Sequence, residues 1–397
     1  MSAEAARQPP EKTLMKALDV LFVISALGIG GSERQLALLA GRLTRLGMKI
    51  AVYSFLDGPV RGQLESDGVE VMCAPRELQS AGGIATAATD LYRVMRRRRP
   101  RIAHFFLPAA YLVGAPLALL ARVPLRVMSR RSLNVYQRGW LVRGIECAYH
   151  RTMHAVLGNS RGVVRELRNE NVPRERLGLI YNGIDVPGVF DRGEARTRLG
   201  VPAEALVMII VANLIPYKGH ADLLDALSLA APRLPQGWRL LVVGRDDGIG
   251  DNLRAQAQRA GLQDNIVFLG ARDDVPSLLA ATDIDILCSH EEGFANAVLE
   301  GMAAGLPMIV TRVGGNAEAA RDGETGLVVE PRDPASLAAA IVRLAGDPAL
   351  RGRMGAAGRR RVHEEFDVDR FVRSHAALYA ALQAGKRPAD VLDIAVD

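Results

Sequence analysis

Short apolar segments alternate with amphipathic ones along this chain of 397 residues, and this alternation constrains its fold more than any other feature. Residues 20–24 and 50–55 predict two buried strands. Residues 33–46 between them carry apolar side chains at helical spacing, before a stop at Gly47. Strands that alternate with helices form a parallel sheet that helices cover on both faces. The pattern therefore predicts an α/β fold for this part of the chain.

The same pattern starts again after residue 200, beyond a polar stretch at residues 187–202. The other predicted strands are residues 102–107, 127–128, 206–212, 240–243, 266–269, 284–288 and 308–311, and the other helices are residues 221–231, 295–304 and 366–382. This repetition predicts two Rossmann-like lobes, each with a parallel sheet. Ligands bind beyond the carboxyl ends of such strands, so two facing lobes place one site in the cleft between them.

Charge, cysteine content and hydropathy narrow the classes of function. The 50 basic and 44 acidic residues leave a net charge of +6, and the three cysteines are far apart, which is typical of a reducing cytosol rather than of a disulfide framework. No secretory signal is evident at the N-terminus. The most apolar stretch, residues 105–121, falls short of the roughly 20 residues of a membrane span. We expect a cytoplasmic protein.

A glycine-rich turn follows the first predicted strand and opens the first helix. Gly30 and Gly31 allow the backbone to approach a ligand closely, and the helix N-terminus favours negative charge. A dinucleotide fingerprint is the simpler interpretation of such a turn. Against it, Glu33 stands where the third glycine belongs, and the second strand ends without an acid for a ribose. The turn alone does not identify a ligand.

Lys218 follows the first strand of the second lobe and precedes a helix, in the segment 213–220 that begins with Asn213. It is one of only five lysines in the chain. A lysine at the carboxyl end of a strand can bind a diphosphate as a point charge. The alternative is a lysine in a solvated loop.

The most informative motif pairs two glutamates across a helix N-terminus. Glu292 lies in the loop after a predicted strand, and Glu300 lies eight residues later, about two turns into the next helix. The first amides of that helix can bind a phosphate, and the two carboxylates can hold sugar hydroxyls. The residues between the strand and the helix are Gly293, Phe294, Ala295 and Asn296. We predict a nucleotide-sugar site here.

With these motifs in this order, most of the chain resembles the retaining glycosyltransferase family 4, which has the GT-B fold. The residues that carry the resemblance are Glu292 and Glu300 of its E-x7-E signature, Lys218, the Gly30–Gly31 pair, the Asn-Gly-Ile-Asp sequence at residues 182–185, and Gly314, Gly315 and Glu318. The resemblance implies that Lys218 binds the donor diphosphate, Glu300 the ribose and Glu292 the transferred sugar. It also implies that the C-terminal helix crosses back to the first lobe.

The resemblance further implies a division into three parts and a class of substrate. Residues 1–186 would bind the acceptor, residues 187–365 the nucleotide-sugar, and residues 366–397 would form the crossover helix and a tail. The donor would be a UDP or GDP sugar, used as substrate with no separate cofactor, and the acceptor a glycan or a lipid-linked sugar of cell-surface polysaccharide synthesis. The predicted donor-binding residues include Asn213 and Gly244 as well as those already named.

Two departures from the family pattern affect the predicted site. Asn213 stands where the family often has an arginine that contacts the phosphates. The loop at residues 128–132 lacks the histidine that often faces the transferred sugar, so Arg130 or Arg131 would face the cleft instead. We predict Arg130, with Lys218 and Glu292, as catalytic. His104 near another strand end is more typical of a structural histidine.

Other charged clusters suggest secondary functions or exclude them. Asp283 and Asp285 resemble the D-x-D motif of metal-dependent glycosyltransferases, but they lie at the amino end of a strand, away from the cleft, so we predict no metal. The arginine run at residues 93–101 suggests peripheral contact with an anionic membrane or a lipid-diphosphate acceptor, with a solvated helix face as the alternative. It has no interleaved aromatic residues, so nucleic acid is not an expected partner.

Two other functions remain open at this point. One is a nucleotide-sugar epimerase of the same fold, against which the Glu292–Glu300 pair argues. The other is a catalytically degenerate scaffold subunit, which the missing arginine and histidine would allow.

Overall fold

The computed structural model describes residues 17–75, 80–133, 140–186, 188 and 190–392. The strands of the first lobe are β1 (Val20–Ala26), β2 (Ile50–Leu56), β3 (Glu70–Cys73), β4 (Ile102–Phe106), β5 (Leu125–Arg130), β6 (Ala155–Gly158) and β7 (Leu177–Leu179). Its helices are α1 (Gly31–Arg45), α2 (Val60–Ser66), α3 (Ala81–Arg98), α4 (Pro108–Leu120), α5 (Trp140–His150) and α6 (Arg161–Asn169).

The second lobe has the same kind of organisation. Its strands are β8 (Val207–Val211), β9 (Arg239–Val243), β10 (Ile266–Gly270), β11 (Ile284–Leu287), β12 (Met308–Thr311) and β13 (Gly326–Val329). The remaining helices are α7 (Arg192–Arg198), α8 (His220–Ala230), α9 (Gly250–Arg259), α10 (Val275–Ala280), α11 (Asn296–Ala303), α12 (Asn316–Ala319), α13 (Pro334–Gly346), α14 (Pro348–Glu365) and α15 (Val368–Gln383).

Each lobe is built on one parallel sheet. Within the described residues the first sheet has the order β3-β2-β1-β4-β5-β6-β7 and the second has the order β10-β9-β8-β11-β12-β13. Side chains alternate between the two faces of the first sheet. Val20 and Phe22 of β1 therefore pack in one core cluster, while Leu21 and Val23 pack in another. The α/β fold with two parallel sheets is confirmed.

Helix α15 belongs spatially to the first lobe, although it follows the second lobe in sequence. Phe371, Leu378 and Tyr379 are buried in the same cluster as Leu36 and Leu39 of α1. The hydroxyl of Tyr379 also lies 2.7 Å from Nδ1 of His104 on β4. The predicted return of the C-terminal helix to the first lobe is therefore confirmed. The predicted tail extends past residue 392, so its last residues lie outside the described part of the chain.

Candidate active site

A cavity of about 610 Å³ lies between the carboxyl edges of the two sheets. From the first lobe it is lined by the glycine turn that opens α1, by the loop after β5 and by Asn182. From the second lobe it is lined by the loops after β8, β9, β10 and β11 and by the first turns of α11. The carboxyl edges meet here because both sheets are parallel, which is where such sheets bind ligands.

Lys218 and Glu292 form an ion pair in the second-lobe wall of this cavity. The ammonium of Lys218 donates to Oε1 of Glu292 at 2.6 Å, and the Ser289 hydroxyl donates to the same oxygen at 2.8 Å. Gly219 makes this placement possible, because it has a φ of +74° and a Cβ there would lie 2.1 Å from the carbonyl oxygen of Cys288. The lysine and the carboxylate, 74 residues apart, are thus brought into one ion pair.

The N-terminus of α11 lies against the same cavity. Ala295, its N-cap residue, has no side-chain cap hydrogen bond, and Ala295, Asn296 and Ala297 all line the cavity. An uncapped N-terminus leaves amide donors and the positive end of the helix dipole available to an anion. Phe294 is buried and packs against Tyr181 and Phe366, with ring centroids 5.0 Å and 5.4 Å away.

Glu300 lies two turns further along α11, where burial raises the pKa of its carboxyl and the guanidinium of Arg34 lowers it. Nη1 of Arg34 is 3.5 Å from Oε1 of Glu300. Beneath the helix, burial raises the pKa of Asp285 well above its usual range, and the charge of Glu300 adds to that effect. Both carboxyls therefore lie in a region where negative charge is costly unless a ligand hydroxyl or a cation compensates it.

The glycine turn approaches α11 closely. Asn296 Nδ2 donates to the carbonyl oxygen of Gly31 at 3.1 Å, and a Cβ on Gly31 would lie 3.3 Å from that nitrogen. A Cβ on Gly30 would lie 2.3 Å from Oε2 of Glu33. Two helix N-termini, those of α1 and α11, therefore line one cavity from opposite lobes.

Three other predicted site residues also lie beside the cavity. Gly293 packs against the first lobe, where a Cβ would lie 2.3 Å from the carbonyl oxygen of Arg131. Gly244 has a φ of +157°, and a Cβ there would lie 2.0 Å from the carbonyl oxygen of Ala212. Asn213 accepts a hydrogen bond from the amide of Arg245 at 3.2 Å through Oδ1. The side chain of Asn213 thus orders the loop after β9 and supplies no positive charge.

Arg130 does not face the cleft, and this part of the prediction is wrong. Its guanidinium is buried beneath the loop, where Nη1 donates to Glu170 at 2.6 Å and Nη2 to Glu146 at 3.5 Å. His150 lies 3.0 Å from the other oxygen of Glu170. Burial by itself would raise the pKa of Glu170, but the hydrogen bonds from His150 and Arg130 outweigh it and lower the pKa to about 2.

Arg131, the neighbouring residue, lines the cavity instead. Its Nη2 donates to Oδ1 of Asn182 at 2.5 Å, and its guanidinium lies 5.5 Å from the centre of the Phe106 ring. Burial lowers the pKa of Arg131 to about 10, and the Glu33 carboxylate opposes this shift. The side chain therefore stays charged near neutral pH. Of the two adjacent arginines that could take the place of the missing histidine, Arg131 is the one in the cleft.

Asn182 joins the two lobes, a role that its motif alone did not reveal. Its Nδ2 donates to the carbonyl oxygen of Phe294 at 3.0 Å and to Oδ1 of Asn296 at 2.6 Å. A second junction lies nearby, where the Glu318 carboxylate accepts from the amides of Arg161 and Gly162 at 2.8 and 2.9 Å. These contacts hold the second lobe against the first around the cavity.

The remaining candidates lie away from the cavity. His104 is buried between Tyr379 and Ser129, and burial lowers its pKa well below the usual range. Asp283 pairs with Arg192 and Arg196 at 2.6 and 2.8 Å, beside the amino end of β11. Among the described residues, no three His, Cys, Asp or Glu side chains converge as a metal site would require.

The arginine run at residues 93–101 contains both buried or paired side chains and exposed ones. Arg98 is buried against Glu70, and Arg101 lies 3.6 Å from Asp19. Arg93, Arg96, Arg97 and Arg99 are exposed. Within the part of the chain that is described, no helix combines the length and the apolar character needed to cross a bilayer.

The two parallel sheets and the cleft between them define a GT-B protein, and comparison with known structures agrees. HepE of Anabaena, solved in complex with UDP, superposes with a TM-score of 0.82 at 24% identity, over 92% of this chain and 100% of that one. Two family descriptions match the chain, Glycosyltransferase Family 4 over residues 29–186 and Glycosyl transferases group 1 over residues 191–361. The chain belongs to this family of group 1 glycosyltransferases.

Relatives of known function match over part of their length. N-acetyl-alpha-D-glucosaminyl L-malate synthase of Bacillus anthracis is 29% identical over 222 residues, which cover 55% of this chain and 58% of that protein. D-inositol 3-phosphate glycosyltransferase of Acidothermus cellulolyticus is 35% identical over 193 residues, which cover 45% of this chain and 42% of that protein. The chain thus spans about half the length of these relatives.

Proposed function

We propose that the protein is a retaining, metal-independent glycosyltransferase, which moves a sugar from a UDP-type donor to a glycan or lipid-linked acceptor of cell-surface polysaccharide synthesis. One observation carries the proposal. A single cavity brings together Lys218, Glu292, Glu300 and the uncapped N-terminus of α11. These groups match the parts of a nucleotide-sugar, which has an anionic diphosphate between two polyols. The complex of HepE with UDP favours uridine as the base.

The diphosphate would bind between Lys218 and the first amides of α11. Without a donor, the ammonium of Lys218 is neutralised by Glu292 at 2.6 Å. A diphosphate that reaches the ammonium would compete with Glu292 for it and leave that carboxylate to accept hydrogen bonds from the hydroxyls of the transferred sugar. Glu300, with Arg34 beside it, would accept hydrogen bonds from the ribose.

The charge of the leaving diphosphate would be stabilised by protein groups rather than by a metal ion. Lys218 supplies a positive charge in the cavity, and the first amides of α11 supply hydrogen-bond donors at the positive end of the helix dipole. Arg131 adds a third group from the first lobe, held at 2.5 Å from Asn182. In the proposed transfer the bond from the anomeric carbon to the diphosphate breaks, and the acceptor oxygen bonds to the same face. The acceptor proton passes to the departing phosphate oxygen.

We also propose how the chain is divided between its substrates. Residues 1–186 would bind the acceptor and residues 187–365 the donor, and residues 366–397 would form the crossover helix, which is α15, and a tail. The exposed arginines near the end of α3 support peripheral contact with the inner face of an anionic membrane, where a lipid-linked acceptor would lie.

Thermal shift against UDP, GDP and ADP, each with Mg²⁺ or with EDTA, tests the donor site. A ligand at about 100 times its Kd should stabilise the fold by roughly 2.7 kcal/mol. We expect a shift with UDP that EDTA leaves unchanged. A shift that requires Mg²⁺ would contradict metal independence, and no shift with any nucleotide would favour the scaffold alternative.

Turnover tests the reaction itself. With a UDP-sugar and a pool of glycan and lipid-linked acceptors, we expect a product whose anomeric configuration, read by proton NMR, equals that of the donor. Glu292→Gln should abolish this product while the UDP shift remains. Release of an epimerised UDP-sugar without any acceptor would favour the epimerase alternative instead.

A further inference from the structure

Basic side chains gather at the edge of the first sheet that is opposite the cleft. Arg126 is the second residue of β5, Arg151 lies shortly before β6, and Arg176 directly precedes β7. These three strands are neighbours in a parallel sheet, so their amino ends lie at one edge. The arginines therefore come together at the amino edge, whereas the candidate active site lies at the carboxyl edge.

These arginines line a cavity of about 710 Å³. Lys386 and Arg387, which follow α15, line it as well, and the one acidic residue in its lining is Glu175. Among the residues that the structure describes, none of these five cations forms an ion pair. By contrast, two buried arginines elsewhere in the lobe are paired, Arg98 with Glu70 and Arg130 with Glu170.

Backbone carbonyls hold two of the guanidiniums in place. Arg126 donates to the carbonyl oxygen of Thr152 at 3.0 Å and to that of Val123 at 2.8 Å. Arg176 donates to the carbonyl oxygen of Met153 at 3.1 Å and also to that of Arg151. Burial lowers the pKa of Arg126, and the charge of Arg176 lowers it further, so the two guanidiniums repel each other. Neutral carbonyls orient these cations but do not compensate their charge.

His154 adds a neutral donor to the same wall. Its Nδ1 accepts a hydrogen bond from the amide of Arg126 at 3.2 Å, so the ring proton of the neutral form lies on Nε2. Burial lowers the pKa of His154, and Arg126 and Arg176 lower it further, so the ring is neutral near pH 7. The cavity thus offers N–H donors and excess positive charge, while the described residues that line it include one acidic side chain, Glu175.

We propose that this cavity binds a phosphate group of a ligand other than the sugar donor. Guanidiniums in a fixed orientation match the tetrahedral oxygens of a phosphate monoester or diester, which also supply the missing negative charge. The ligand carries its phosphate either free in solution or on a lipid headgroup. Leu119 lines the cavity and Leu120 beside it is two-thirds exposed, so an acyl chain would find an apolar surface at the rim.

Titration calorimetry with inorganic phosphate tests the site on the full chain. Lys386→Ala/Arg387→Ala removes two exposed cations of the cavity wall, so this variant should fold normally. Arg233→Gln/Arg259→Gln is the charge-matched control, because both residues are exposed and lie in the second lobe. We expect the cavity variant to bind phosphate at least about tenfold more weakly and the control to bind it like the wild type.

UDP binding separates this site from the proposed donor site. The cavity variant should keep the UDP thermal shift, whereas Lys218→Ala should lose that shift and keep the cavity's phosphate affinity. Equal phosphate affinity in the cavity variant and the wild type would overturn the proposal, and so would an equal loss in the charge-matched control.

Flotation with phosphatidylglycerol and phosphatidylcholine vesicles shows whether the phosphate belongs to a lipid headgroup or to a soluble ligand. If the wild type floats with the anionic vesicles and the cavity variant does not, the ligand is a lipid headgroup. If the wild type binds phosphate saturably but does not float with the vesicles, the ligand is soluble.

Discussion

The carboxamide of Asn182 donates a hydrogen bond to the carboxamide oxygen of Asn296 at 2.6 Å, and this bond connects the first lobe to the first turn of α11. Asn182→Ala should lower the free energy of unfolding by about 1–3 kcal/mol for each polar partner left unsatisfied. It should also weaken UDP binding, because the lobes would separate more readily around the cavity. Urea denaturation and a UDP titration measure the two effects.

Small-angle X-ray scattering of the same variant separates loss of closure from general loss of stability. We expect a larger radius of gyration for Asn182→Ala below its unfolding transition. Asn252→Ala, at an exposed position of α9, is the matched control and should change none of these quantities. An unchanged radius of gyration together with unchanged UDP affinity would show that Asn182 does not hold the lobes together.

Lys218→Ala should remove the charge that the donor diphosphate requires. We expect turnover to fall by about 10²–10³, as is typical when one donor to a developing oxyanion is lost, and UDP affinity to fall with it. Lys49→Ala, which alters an exposed lysine of the first lobe, should leave both unchanged. Full UDP affinity in Lys218→Ala would contradict the assigned role of the lysine.

Arg130 should contribute to stability and not to catalysis. Because the pKa of Glu170 is lowered to about 2, its ion pair stabilises the fold above the ordinary glutamate pKa of 4.5, and that stability is lost as the pH falls from about 4.5 towards 2. Glu170→Gln should therefore show a lower free energy of unfolding at pH 7 and a flatter decline in acid. Urea denaturation at pH 7, 4 and 3 gives the comparison.

Arg130→Met tests the same cluster from the other partner. It leaves the carboxylates of Glu146 and Glu170 buried without their guanidinium, so we expect a loss of about 3–5 kcal/mol at pH 7. The mild variant Arg131→Lys should instead keep the stability and lower turnover. If Arg130→Met kept its stability and lost only activity, the original assignment of Arg130 to the active site would be restored.

Asp285→Asn should stabilise the protein at neutral and alkaline pH. The pKa of Asp285 is raised by burial and by Glu300, so the folded state binds a proton more tightly than the unfolded state does. Stability is therefore lost as the pH rises above the ordinary aspartate pKa of 3.8. Melting curves at pH 5 and pH 8 should show a smaller difference for Asp285→Asn than for the wild type. If Mn²⁺ raised the Tm of the wild type but not that of Asp285→Asn, the result would instead favour a metal site at Asp283 and Asp285.

The alternation of strands and helices predicted most of the fold, and the unpredicted strands have a physical explanation. The segments of β1, β2 and β8 are long apolar runs, so their period is clear. In contrast, β3, β6, β7 and β13 have three or four residues each, which gives only a weak periodic signal; the predicted strands β11 and β12 are equally short, so length alone does not separate the two groups. Tertiary pairing with a neighbouring strand stabilises them, and a single sequence does not reveal that pairing.

The sequence predicted a site residue correctly where its position at the end of a strand is enough to bring it to the cavity. It was less informative where the direction of the side chain decides whether the residue reaches the cavity. Lys218 and Glu300 line the cavity because they lie at the carboxyl ends of strands or in the helices that follow. Arg130 is the last residue of β5 and Arg131 is the first residue of the loop after it, and their side chains point to different sides. Both faces of a parallel sheet are buried, so the sequence does not indicate which of the two points into the cleft.

The position of α15 in the first lobe has a consequence for how the chain is made. Residues 17–186 emerge from the ribosome well before Phe371 and Tyr379, which pack in the core of that lobe. The lobe that is translated first is therefore the last to complete its core. A nascent chain paused before residue 368 would leave exposed the apolar side chains that α15 covers in the complete lobe, and a fragment ending at residue 186 would need α15 supplied as a separate peptide.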